Sequence, residues 1–233
     1  MPAELVTVTA DSITMSISPC VDSNGAPVTS YILYVKELNI GALQAIHTFN
    51  LGDTLEHTLT VADDGLTPGS LLYFQYTSVN TVGESEMSNE VFFALAVYPD
   101  APLNLVKVDN MSSMTSIYLN WDIQDDYETN VIGYQVWMES DQNGEFVLAY
   151  DGTNFPGVNY YDSTGLTTGN SYSYKLTSLN VNGAGAFTSP LVFYSCLPPT
   201  DILPPVFVSS TKTTMTLDWT YPTATNGCPL EKF

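Results

Sequence analysis

Apolar and polar residues alternate with a period of two along most of the chain. Ile13, Met15 and Ile17 are separated by Thr14 and Ser16, and Tyr172, Tyr174 and Leu176 by Ser173 and Lys175. That spacing puts one face of an extended segment in a core and the other in water. The same reading predicts strands over Ala3–Ala10, at Tyr31, Leu33 and Val35, near Ala42–Phe49 and Leu55–Val61, at Leu72, Phe74 and Tyr76, and near Val91–Val97. It continues over Leu103–Val108, at Ile117, Leu119 and Trp121, at Tyr134, Val136 and Met138, near Glu145–Tyr150 and Val158–Asp162, and over Phe187–Ser195. Apolar residues nowhere recur at helical spacing over a long run, and Gly, Pro, Asn and Asp punctuate the pattern where turns are needed.

The pattern is a repeat. Gly65-Leu66-Thr67-Pro68-Gly69, the alternating Leu72, Phe74 and Tyr76, and Asn80-Thr81-Val82-Gly83 return as Gly165-Leu166-Thr167-Thr168-Gly169, then Tyr172, Tyr174 and Leu176, then Asn180-Val181-Asn182-Gly183. A third start follows. Met215, Leu217 and Trp219 repeat Ile13, Met15 and Ile17, and Asn226-Gly227-Cys228-Pro229 through Phe233 matches Asn24-Gly25-Ala26-Pro27 through Tyr31. Proline-containing segments separate the copies, at Tyr98-Pro99-Asp100-Ala101-Pro102 and at Cys196-Leu197-Pro198-Pro199. The expected modules are residues 1–98, 99–197 and the N-terminal part of a third over 198–233, with the chain a segment of a longer polypeptide.

The string L-x-x-G-x-x-Y followed by N-x-x-G resembles strand F of a fibronectin type III domain with its tyrosine corner, in which the Tyr hydroxyl bonds to upstream backbone. Tyr172 fits that role; Leu72 occupies the position in the first copy, with Tyr73 one residue out of phase. The resemblance covers essentially the whole chain. It implies an all-β fold of tandem fibronectin type III-like, immunoglobulin-like antiparallel β-sandwiches, two complete and a third truncated. The cores are expected to contain Ile17, Trp121 and Trp219 on equivalent strands, Tyr31 and Tyr134 on the next, and Tyr172.

Charge narrows the partners. The chain has 25 acidic residues against 5 basic, a formal net charge of -20. All five cations are lysines (Lys36, Lys107, Lys175, Lys212, Lys232), so an Arg-containing integrin motif is absent. Clustered basic residues of the kind that grip phosphates are absent, which excludes nucleic acid. No stretch of about 18 apolar residues is present to span a bilayer, and residues 1–30 lack the basic start and apolar block of a signal peptide. The acidic balance is that of a surface polymer kept dispersed by self-repulsion.

Candidate chemistry is sparse. No nucleophile elbow, phosphate-binding glycine loop or catalytic set is evident. His47 and His57 read as surface strand residues, because a metal pair would need a third ligand. Asn110-Met111-Ser112 is an N-glycosylation sequon, Asn110 being the acceptor.

Two further expectations come from the resemblance. It places the loop before strand C against the preceding module and the turn before strand F against the following one. Asp63, Asp64, Asp100, Asp125, Asp126 and Glu128 would then surround one joint and could hold a Ca2+ ion, which takes about six to eight oxygen ligands; a solvated acidic loop is the alternative. The resemblance also brings Cys196, where the second module ends, near Cys228 in the corresponding loop of the third, so these two are expected to form a disulfide. Cys20, in that loop of the first module, would find its partner in a preceding module or another subunit. The alternative is three unrelated buried thiols.

The resemblance therefore implies a non-enzymatic segment of an extracellular or cell-surface fibre or array. It would act as a rigid spacer and protein–protein assembly surface whose partners are neighbouring copies or further modules. An adhesion or receptor ectodomain whose loops bind other extracellular proteins or glycans is the alternative, and a spacer in a secreted enzyme is a third.

Overall fold

The computed structural model describes residues 2–38, 40–123, 131–139 and 144–230. The first repeat forms β1 (Glu4–Val8), β2 (Ser12–Ser16), β3 (Val28–Glu37), β4 (Ile40–Asn50), β5 (Glu56–Thr60), the one-turn helix α1 (Val61–Asp64), β6 (Leu71–Asn80) and β7 (Val91–Ala94). These make a three-stranded sheet in the order β1-β2-β5 and a four-stranded sheet in the order β4-β3-β6-β7. Because β2 is the middle strand of its sheet, its apolar face is covered fully: Ile13 and Met15 are buried with Leu59. Leu33, Phe49, Leu72 and Phe74 of the other sheet join the same core.

The second repeat forms β8 (Val106–Lys107), β9 (Ser116–Asn120), β10 (Gly133–Glu139), β11 (Val147–Asp151), β12 (Tyr160–Thr164), β13 (Ser171–Asn180), β14 (Gly183–Phe187) and β15 (Leu191–Tyr194). One sheet runs β12-β9-β8 and the other β11-β10-β13-β14, with β15 also paired to β13. The strand expected over Phe187–Ser195 is β15, and β14 is a further strand before it. They are divided at Ser189-Pro190, and proline has no N–H to give to a ladder. Ile117, Leu119, Trp121, Tyr134, Val136, Tyr174 and Leu176 are buried. The Trp121 and Tyr134 rings meet edge to face, centroids 5.7 Å apart.

One buried polar pair crosses this second core. The Tyr174 hydroxyl donates to Ser163 Oγ over 2.9 Å, joining β13 of one sheet to β12 of the other. Ser163 Oγ in turn lies 3.6 Å from the Met138 sulfur. Burial pushes the Tyr174 hydroxyl up to about 12, since the phenolate would lose its water.

The last segment is an antiparallel ribbon, β16 (Val206–Ser210) paired with β17 (Met215–Asp218). Here the expected core residues divide. Ile17, Trp121, Tyr134 and Tyr172 are buried and Tyr31 packs against the first core, but Trp219 is 56% exposed. Met215 and Leu217 are exposed with it. The alternation holds along β17, but a two-stranded ribbon alone does not bury an apolar face.

The turn expected at Asp63-Asp64-Gly65 is ordered into α1. Thr60 caps it, its Oγ1 accepting the Asp63 N–H at 3.0 Å while its own N–H donates to Asp64 Oδ2 at 2.7 Å, and Gly65 ends it at φ 65°. By contact density the chain divides into two compact units. One is built on Met1–Asp100 and takes in Ser178–Ala186; the other is built on Ala101–Gln124, Gly133–Thr177 and Phe187–Phe233.

Candidate functional site

The most highly determined site of the second unit is the joint around Cys196. Just before it, the turn that starts strand β13 is held from two sides. Thr167 N–H donates to the Tyr172 hydroxyl at 2.8 Å, the upstream backbone bond of a tyrosine corner. Ser195 is fully buried: its carbonyl accepts the Gly169 N–H at 3.1 Å, its N–H donates to the Asn170 carbonyl at 3.0 Å, and its hydroxyl donates to the Thr167 carbonyl. Lys107 reaches across from β8. Its ammonium donates to the carbonyls of Cys196 at 2.6 Å and Tyr194 at 3.1 Å and pairs with Asp109 at 3.2 Å. The Lys107 cation thus holds carbonyls at the end of β15 and just past it.

Beyond that anchor, Cys196 is disulfide-bonded to Cys228, with Cα atoms 5.6 Å apart, within the range a disulfide spans without backbone distortion. The flanking backbone is paired as well. Leu197 N–H donates to the Asn226 carbonyl at 3.0 Å, Asn226 Nδ2 to the Pro198 carbonyl at 2.6 Å, and Thr200 N–H to the Ala224 carbonyl at 3.1 Å. Asn226 and Gly227 turn the chain at φ 51° and 99°, the left-handed region in which Asn and Gly are tolerated. Gly227 is also required for space, because a Cβ there would lie 2.6 Å from Thr168 Cγ2 and 3.3 Å from Cys196 Cβ. A Cβ on Gly169 would lie 2.8 Å from the Gly227 carbonyl oxygen. Two glycines thus let the backbones at 169 and 227 touch, and the disulfide closes over them.

Within the first unit, the N-x-x-G turn of the second repeat has a distinct task. Asn182 Nδ2 donates to the carbonyls of Ala94 and Ala96, each at 2.9 Å, and its Oδ1 accepts the Ala94 N–H at 2.8 Å. Asn180 Nδ2 donates to the Val97 carbonyl at 2.8 Å. Side-chain amides therefore satisfy the backbone of the segment that leaves β7, which has no further strand to pair with. Asn180 Oδ1 also accepts the Asn182 N–H at 2.9 Å, as the corresponding Asn80 of the first repeat accepts the N–H groups of Val82 and Gly83 at 2.9 and 3.2 Å, each closing its own turn.

The remaining sequence-selected residues are dispersed. Asp63 and Asp64 are engaged with Thr60, Asp100 lies exposed in the linker, and Asp125, Asp126 and Glu128 lie outside the described residues. Among the described residues no group of three or more His, Cys, Asp and Glu side chains is placed to hold a metal. Asn110 is exposed in a turn, but the hydroxyl of its sequon partner Ser112 is engaged, donating to the Val108 carbonyl at 2.8 Å and accepting the Tyr118 N–H at 3.0 Å. Cys20 is an exposed free thiol. It borders an open cleft of about 390 Å³ lined also by Asp22, Asn24, Asn80 and Glu84. Hydroxyls of Thr77 and Tyr34, each 2.6 Å from Glu84 Oε1, hold the Glu84 carboxyl below the usual carboxylate range.

His47 and His57 are not the surface residues that their polarity suggested. Each is half-buried, and their rings stack, centroids 4.0 Å apart with 15° between the planes. Sequence reasoning also missed Lys107, Asn182 and the Tyr174–Ser163 pair. Their residue types carry no motif, and only the pairing of strands remote in sequence brings each to its partner.

The fibronectin type III domain family model matches residues 100–194. Over 148 residues the chain is 28% identical to fibronectin type-III domain-containing protein 3a of Gallus gallus and 25% identical to its Homo sapiens counterpart, 3A. Each match covers 63% of this chain and 12% of the relative's length. Similar solved structures include the FN1–FN3 domains of chicken CNTN1, at 14% identity and TM-score 0.48, covering 83% of this chain and 66% of that one. Another is a two-domain fibronectin type III segment from chicken tenascin, at 14% identity and TM-score 0.39, covering 82% and 97%. With the sandwich topology and the Tyr172 bond, the family match makes residues 100–194 a fibronectin type III domain.

Proposed function

We propose that the chain is a non-catalytic structural segment of an extracellular or cell-surface array, acting as a stiff spacer and assembly surface. The observation that carries this reading is the bonded Cys196–Cys228 pair. Structural disulfides persist in oxidising compartments and are rare in the cytosol. This one lies at a chain segment between repeats, where a cross-link adds nothing to either sandwich core but limits how far the segment can swing. The Asn180 and Asn182 amides on residues 94–97 limit the other inter-repeat segment in the same sense. A net charge of -20 suits a surface that stays dispersed except where specific contacts form.

The test is the redox state of the protein recovered from its source under alkylating conditions. Peptide mapping without reductant should return Cys196 and Cys228 linked; both recovered alkylated would overturn the extracellular reading. A second reading, a recognition module of an adhesin or receptor, is supported by the polar cleft beside Cys20 in the first sandwich. Glycan-array binding that is lost on Glu84→Ala would favour it over the spacer.

A further inference from the structure

We propose that the stacked imidazoles of His47 and His57 form a proton-sensitive latch that closes one edge of the first sandwich. Their placement carries this. β4 is an edge strand of one sheet and β5 an edge strand of the other, so the two meet only along the open side of the sandwich. His47 is paired with Leu33 on β3, and His57 with Met15 on β2. Residues directly opposite in an antiparallel pair share a face, and Leu33 and Met15 are core residues. Both histidines therefore point inward, at the rim of the core. The His47 ring also meets Phe49 edge to face at 4.6 Å. Neutral imidazoles complete an aromatic seam of His57, His47 and Phe49 that joins the two sheets.

The chemistry of the rim sets how that seam responds to acid. From β2 and β3 the residues opposite the histidines are Met15 and Leu33, which offer no charge. From α1, Asp64 attracts a proton to His57, but its carboxylate already accepts the Thr60 N–H at 2.7 Å. Glu56 lies on the other, exposed face of β5. A proton on either ring must be carried at a half-buried site, and a second proton places like charges across a 4.0 Å stack. Burial first, then the neighbouring His47, lowers the His57 pKa from 6.5, with Asp64 opposing only in part. Acid therefore favours parting β4 from β5, which exposes Phe49 and frees the edge strands. A charge on one ring is felt by the other across the stack.

The experiment uses the whole chain. Imidazole carbon-bound protons and backbone amide exchange are followed by NMR from about pH 8 to about pH 5. The expected result is a coupled two-step titration. After correction for intrinsic exchange, protection at Phe49 and Leu59 should fall about tenfold or more over that range. Leu119 and Ser163 in the second sandwich are the internal control and should keep theirs. His47→Phe retains a ring in the stack but no titration, and should abolish most of the fall. Independent titration of the two histidines in the unmodified protein would overturn the latch without any variant. So would unchanged protection at Phe49 and Leu59, or an undiminished fall in His47→Phe. None of these results bears on the cysteine mapping above, so the latch and the spacer reading fail separately.

Discussion

Cys196 and Cys228 are 32 residues apart in sequence, yet their Cα atoms are 5.6 Å apart and their sulfurs are bonded. The bond closes a loop that contains the whole β16–β17 ribbon. A ribbon that buries so little holds its place through this covalent tie and a few hydrogen bonds. Cys228→Ser is expected to cost about 3–4 kcal/mol of anchoring, the chain-entropy estimate for a loop of this size. Limited proteolysis should then cut between residues 200 and 224 while both sandwiches persist. Equal resistance in the variant would mean that packing, and not the disulfide, holds the segment.

Gly227→Ala tests the same joint without touching sulfur. The φ of 99° and the 2.6 Å approach to Thr168 Cγ2 leave no room for a methyl group. The expected loss is about 1–3 kcal/mol from backbone strain, read as faster reduction of the disulfide by dithiothreitol. An unchanged reduction rate would show that residues 226–228 are held more loosely than this geometry requires.

Trp121 is the largest fully buried side chain of the second sandwich and contacts Tyr134 edge to face. Trp121→Ala should cost about 3–5 kcal/mol, the range for removing a large aromatic from a packed core. A denaturant midpoint displaced by less than about 1 kcal/mol would mean that the core re-forms around the gap.

Tyr174 gives the second sandwich a pH dependence of known sign. Its folded-state pKa, about 12, lies above the ordinary 10.0. The stability it contributes is complete below pH 10.0 and is lost as the pH rises from there toward 12. The loss amounts to about 2–3 kcal/mol at the upper end. Tyr174→Phe should flatten this alkaline limb. It should also cost about 1–2 kcal/mol at neutral pH, because Ser163 Oγ loses the donor that crosses the sheets. An alkaline unfolding profile identical in the two proteins would place the responsible phenol elsewhere.

The three tryptophans differ in environment, which makes Trp219 an optical probe. It is 56% exposed, whereas Trp121 is 1% exposed. Acrylamide should quench Trp219 strongly and Trp121 weakly, compared in variants that retain one tryptophan at a time. Trp219→Ser should change the melting of the sandwiches by less than about 0.5 kcal/mol, as for other exposed substitutions. Strong protection of Trp219 would mean that its face is covered in solution.

The sequence by itself determined the local layer of this protein. Period-two alternation identified nearly every strand and, within each, the face that turns inward, because side chains of a strand alternate whatever lies across from them. β14 escapes that pattern, because Gly183, Ala184, Gly185 and Ala186 carry no apolar–polar alternation. The tandem repeat was legible in the same way, and Tyr172 announced its hydroxyl bond because corner and strand lie a few residues apart. What lay beyond was decided where separate strands meet. Trp219 has the pattern of Ile17 and Trp121 yet stands in water, since alternation fixes a direction and only a facing sheet turns direction into burial. His47 and His57 read as polar surface residues, and they meet because β4 and β5 end on the same side of different sheets. Asn182 stands where the first repeat has Val82, and its amide spans to the backbone at 94–96. Lys107 finds the Cys196 carbonyl through β8, 89 residues away. Such pairings depend on distances across the folded chain, and no local spacing of residue types encodes them.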